Sequence, residues 1–224
     1  MAAAVAFLTL LTGATKCVSV CGVNAAAVAT PTANGRGFGI GAYFVGLFAG
    51  AFALTALVAF LGAQFFSQVA VDPQSRILIA ASLMAGVGGV ESIVGRSWLP
   101  HVQWAVPSTW AMRIKPTPFL LLFGLIRGVA VFNHSPFASM HAWLAIVFLL
   151  HDAIPVPLIS VTLASALAFW SGVYAVLAVV SPADSRLVFR RVAFRSLSAT
   201  AGIARLDGIA LAVCGAVLVA TSRY

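Results

Sequence analysis

The chain has 224 residues, 62% of them hydrophobic and only 8% charged, with a mean hydropathy of +1.05. A soluble domain carries about 25% charged residues, so this composition excludes an ordinary water-soluble enzyme and implies an all-α polytopic membrane protein. The formal net charge of +8 sits in short stretches beside apolar runs, which makes anionic lipid the partner of the basic residues and excludes nucleic acid.

A membrane helix needs about 20 predominantly apolar residues, and six segments qualify. Segment 1, residues 2–30, has no basic n-region, and Lys16 interrupts what would be a signal-peptide h-region, so it is expected to stay in the protein. Thr9, Thr12 and Thr15 are small hydroxyls expected to bond their own helix. Within nine residues a cation, two thiols and an amide then arrive: Lys16, Cys17, Cys21 and Asn24. Each is costly in lipid, so each should face protein or a water-filled path.

Segment 2 runs from Arg36 to the next charge at Asp72, long enough to tilt or project. It carries Gly37-xxx-Gly41 and Gly46-xxx-Gly50, spacings that let helices approach closely. Segment 3, residues 76–95, ends in Gly86-Val-Gly-Gly-Val-Glu91, which reads as loose. Residues 96–118 form the longest connection. Trp98, Trp104 and Trp110 are spaced along it, so it is expected to lie at the headgroup level.

Segment 4, residues 117–150, is too long for one straight crossing. Asn133-His134-Ser135-Pro136 interrupts it, and proline both lacks a donor and clashes with the preceding turn, so a broken helix is expected. Segments 5 and 6, residues 154–180 and 203–221, show no polar feature that suggests a site. Between them, Ser181 and Asp184 form a capping signal. Arg186, Arg190, Arg191 and Arg195 then alternate with apolar residues, which makes 182–200 a basic amphipathic interfacial segment.

With six spans, Arg36, Arg96, Arg113, Lys115, Arg186, Arg190, Arg191, Arg195 and Arg205 fall on one side, and Arg76 and Arg223 on the other. The basic side is cytoplasmic by the positive-inside rule. That places the chain in the inner membrane with both termini outside. The layout also repeats. Residues 1–95 and 119–224 each open on a segment that is polar in its middle, followed by a long apolar span and then a shorter one. Three spans per half invert the second half relative to the first, giving two inverted three-helix repeats with a broken first helix in each.

The fourth segment, Phe119-Leu-Leu-Leu-Phe-Gly-Leu-Ile-Arg-Gly followed by Asn133-His-Ser-Pro136 and a second apolar run, resembles the transmembrane thiol–disulfide transporters of the DsbD and cytochrome-c-biogenesis type. So does the first segment, with its Cys ahead of a Pro-containing loop. That group is similar to wider exporter superfamilies. The resemblance implies electron transfer through cysteines, with Cys17 and Cys21 in the catalytic role, a thioredoxin-like protein as donor or acceptor, and no cofactor. The chain departs from the group in one respect: the stretch around His134–Ala138 has no cysteine, and Cys214 lies in the last segment. The dithiol shared between repeats therefore has no counterpart here.

Cys17, Cys21 and Asn24 share a helix face, but an ideal helix holds the Cα atoms of the two thiols about 6 Å apart, near the long end of disulfide geometry. Both thiols also fit a purely packing role. With His134 they would suit a soft metal, although no metal-binding motif supports one. The charges allow another chemistry. Lys16 and Arg127 come near mid-depth, and with Asn133 and His134 they offer binding groups for a small anion. Glu91 is the acid that would pair with Arg127 if that charge were structural. Three functions follow: a thiol–disulfide relay, a small-anion transporter, or an accessory subunit of a larger membrane complex.

Overall fold

The computed structural model describes residues 5–12, 36–96, 110, 113–129, 137–153, 155–179 and 200–221. Its regular structure is helical. Helix α1 covers residues 5–12, α2 Arg36–Gln68, α3 Pro73–Val94, α4 Pro116–Gly128, α5 Ser139–Leu149, α6 Val156–Val179 and α7 Thr200–Thr221. Three of them are long and apolar enough to cross a bilayer: α2 over Gly41–Gln68, α3, and α7 over Ala201–Ala220.

The helix ends follow from local sequence. Helix α3 starts earlier than the charge pattern suggests. The Asp72 carboxylate accepts the Ser75 N–H (2.8 Å) and hydroxyl (2.6 Å), and Pro73 occupies a first-turn position that needs no donor. It stops at Gly95, whose φ of 69° is the left-handed conformation that closes a helix at low cost in glycine. Residues 86–91, expected to be loose, are continuous helix. Helix α4 opens on Pro116-Thr117-Pro118, where the missing donors again cost nothing. The long fourth segment holds two helices, α4 and α5.

Two helix pairs are locked by glycine. Along α2 and α4 a Cβ added at Gly46 or Gly50 would strike the carbonyl oxygens of Leu121 and Leu125, and one at Gly124 or Gly128 those of Tyr43 and Leu47. The contacts advance together along both chains, so the pair is parallel, with small-xxx-small spacing on each side. Gly41 faces open space, so only the second of the two expected glycine spacings in α2 is shown to pack. Helices α3 and α7 meet antiparallel. A Cβ at Gly88 would stand 2.5 Å from the Gly208 carbonyl oxygen, and one at Gly215 2.6 Å from that of Ala81.

Helix α5 lies inside, packed on α2, α3 and α7. Trp143, fully buried on it, donates its indole N–H to Thr9 of α1 (3.2 Å). The distribution of polarity runs opposite to that of a soluble protein. Phe52, Phe60, Phe169, Ile93 and Leu206 are exposed, while Arg76, Glu91, Arg127 and Asp207 are buried. Outward apolar side chains suit contact with lipid, and interior charge is where a membrane protein places it. The small hydroxyls behave as their size dictates: Thr9, Thr12 and Thr55 donate to Val5, Leu8 and Ala51 one turn back.

Candidate functional site

Helix α5 has no side-chain cap of its own, because its N-cap is Ala138. A helix start leaves four N–H groups without intrahelical partners, and burying them bare costs about 1–3 kcal/mol each. Acids distant in sequence satisfy two of them. Glu91, in the last turn of α3, accepts the Ala138 N–H on both carboxyl oxygens, at 3.2 and 3.0 Å. Asp207 of α7 accepts the Ser139 N–H at 3.0 Å. The two acids are 0% and 1% exposed, which removes water as an alternative partner. The positive end of the α5 dipole favours negative charge there.

The two carboxyl groups also lie within hydrogen-bonding reach of each other. The glycine crossing is what brings them together. Gly88 is one turn before Glu91, Gly208 directly follows Asp207, and neither backbone could approach so closely with a Cβ in place. Three of the four carboxyl oxygens are matched to backbone donors, while Asp207 Oδ1 is buried with no hydrogen-bond partner. Ser139 ties the same point to α1, since its carbonyl oxygen accepts the Thr12 hydroxyl at 3.3 Å.

Of the site residues expected from sequence, Arg127 is described. It sits at the end of α4 and is 1% exposed. Lys16, Cys17, Cys21, Asn24, Asn133 and His134 lie outside the described residues, as do segment 182–200 and most of 96–118. Pairing of Glu91 with Arg127 is not what the structure has, because Glu91 bonds to α5 and faces Asp207. Asp207 was missed by the sequence reading, which found nothing polar of note in the last segment. A lone acid inside an apolar run is itself the signal for an interior site.

A second polar cluster joins the start of α3 to the turn after α5. Arg76 forms a two-pronged ion pair with Asp152, at 3.1 and 2.7 Å. It also donates to the Leu149 carbonyl at the end of α5 (3.4 Å) and lies 4.9 Å above the Phe66 ring. Phe66 stacks on His151 with an interplanar angle of 9°. Partial burial works against ionisation of Asp152, yet the Arg76 hydrogen bonds and charge hold its carboxyl below the usual range. The cluster anchors α5 at the end opposite the acid pair.

Among the described residues no group of three His, Cys, Asp or Glu side chains is placed to hold a metal. Comparison with protein-family models, curated proteins and solved structures gives no match.

Proposed function

We propose that this chain is a multi-pass inner-membrane carrier for a small anion, built as two inverted three-helix repeats with both termini outside. The observation that carries the reading is the set of buried ionic groups flanking the interruption between α4 and α5. Arg127 ends the first helix, and Glu91 and Asp207 hold the start of the second. Interrupted helices with ionic groups at their inner ends are a recurring way to build a substrate site inside a membrane. The N–H groups of Ala138 and Ser139 are occupied by the protein's own acids, so the anion is assigned to Arg127, with Lys16, Asn24, Asn133 and His134 completing the set.

Packing supports the repeat. Helix α4 packs on α2, while α1 faces α6 across a groove lined by Phe7, Leu10, Leu11, Thr162 and Phe169. Helices α3 and α7 pack on each other with Ala81 against Gly215 and Gly88 against Gly208. The thiol–disulfide relay rests on Cys17 and Cys21 alone. Cys214 is buried in the apolar core, and no other cysteine is among the described residues.

The test is uptake of sulfate, sulfite and small carboxylates into proteoliposomes. Uptake is expected to be lost in Arg127→Gln and kept in the Cys17→Ser, Cys21→Ser double variant. Uptake that fails for every anion refutes the carrier. Redox-dependent alkylation of Cys17 and Cys21, with activity lost in the double serine variant, would establish the relay in its place.

A further inference from the structure

Two carboxylates buried side by side cannot both be ionised without a cation between them. Among the described residues no cation bonds to this pair. Arg127 on α4 bonds to neither acid, and neither do His141 on α5, Arg96 beyond the end of α3, or Arg205 on α7; Arg96 and Arg205 are exposed. The backbone donors come from α5 and reach three oxygens. The fourth, Asp207 Oδ1, is enclosed in a residue 1% exposed and has no partner. The Ser139 hydroxyl also lies within reach of Asp207, yet Oδ1, beside a second carboxyl, bonds to no donor and is the open place for a proton.

We infer that Glu91 and Asp207 hold one exchangeable proton between them, and that this proton site couples transport to pH by controlling the contact of α3 and α7 with the start of α5. The inference rests on the carrier reading for its coupling half only. With the proton present, one carboxyl donates to the other and the pair carries one negative charge, which the N-terminus of α5 stabilises. Loss of the proton to water leaves two anions in contact. Their repulsion acts beside Gly88 and Gly208, where the two backbones meet directly, so relief comes by parting α3 from α7 or by freeing α5. Rebinding one proton restores the closed contact. The balance is one proton taken up and one released per cycle, with no oxidant or reductant.

The site predicts which substitutions are silent in structure. In Glu91→Gln the amide oxygen still accepts from Ala138 and the amide nitrogen donates to Asp207, so the variant imitates the protonated pair. Asp207→Asn does the same from the other side. The experiment is an infrared pH titration of the purified full-length protein in H2O and D2O, following the carbonyl stretch of a buried carboxylic acid. One band per chain is expected. It should shift on deuteration, disappear as pH rises, and be missing in both amide variants while their helical circular dichroism stays unchanged. Absence of the band at every pH, or its persistence in both variants, overturns the shared proton. The second arm uses the anion-loaded proteoliposomes: a pH gradient accelerates wild-type uptake, and Glu91→Gln uptake ignores it. An unaltered gradient response in Glu91→Gln overturns the coupling. If no anion is taken up at all, the carrier reading fails while the infrared band still decides the proton site.

Discussion

Replacing Gly208 with alanine perturbs one point whose neighbours are known. The new Cβ would lie 2.5 Å from the Gly88 carbonyl oxygen and 2.5 Å from the Ser92 nitrogen. Both are backbone atoms and cannot rotate away. Ordinary contact begins at 3.4 Å, so α3 and α7 must separate locally by about 0.9 Å. Overpacking of this kind costs about 1–3 kcal/mol. For a chain of this size about 2–4 °C of melting temperature accompanies each kcal/mol, so detergent-solubilised Gly208→Ala should melt a few degrees lower, and Gly88→Ala likewise. Gly86 and Gly89 provide the control, because they occupy the same helix as Gly88 with nothing within 4 Å of an added Cβ. Alanine there should hold or raise the melting temperature, since an interior helical glycine costs roughly 0.5–1 kcal/mol. The assay is a thermal melt by intrinsic tryptophan fluorescence on all four variants. If Gly208→Ala and Gly86→Ala melt together, the close crossing does not exist as described, and the acid pair loses the feature that brings it together.

The parallel crossing gives a matching contrast. Gly124→Ala should destabilise through the Tyr43 carbonyl, while Gly41→Ala, in open space, should not, as the same melts will report. Glu91→Leu leaves the Ala138 N–H buried without an acceptor and should cost about 1–3 kcal/mol, whereas Glu91→Gln should stay close to wild type; chemical denaturation separates them. Trp143→Phe and Thr9→Val each break the 3.2 Å bond between α5 and α1, so a double-mutant cycle in denaturant should return a coupling of about 0.5–1.5 kcal/mol. The Asp152 carboxyl is held below its ordinary value, 3.8, in the folded chain. Its contribution is therefore complete above pH 3.8 and is lost as pH falls through the lower folded value. The stability gap between wild type and Asp152→Asn should close over that acid range and stay constant above it.

The lengths of the apolar runs made most of the helices legible, because a bilayer needs about 20 apolar residues and runs of that length have few alternatives. Asp72 before Pro73 and Gly95 after Val94 mark the ends of α3 by chemistry local to the chain. Segment 4 is too long for one crossing, and it holds two helices, α4 and α5. Residues 86–91 are helical, yet they look loose in sequence because an isolated glycine weakens a helix. In a packed pair it is the residue that permits contact, and which role applies depends on the partner helix. Gly41 and Gly46 are indistinguishable in sequence, yet only Gly46 meets α4.

The acid pair was hidden for a deeper reason. Glu91 and Asp207 cap a helix 47 and 68 residues away from them, and no local pattern encodes such a bond. Each would be a poor feature alone. A buried carboxylate without donors, or a buried helix start without acceptors, costs several kcal/mol. Joined, each offsets the cost of the other, so the start of α5 and the two acids stabilise one another as a unit. The same reasoning limits what the site tolerates. Its donors suit about one negative charge, and two acids supply one more than that. A second carboxyl adds nothing to capping that an amide would not provide, but it adds a proton that can leave. That difference separates a structural cap from a switch, and Asp207 Oδ1, buried without a partner, is where it shows in the geometry.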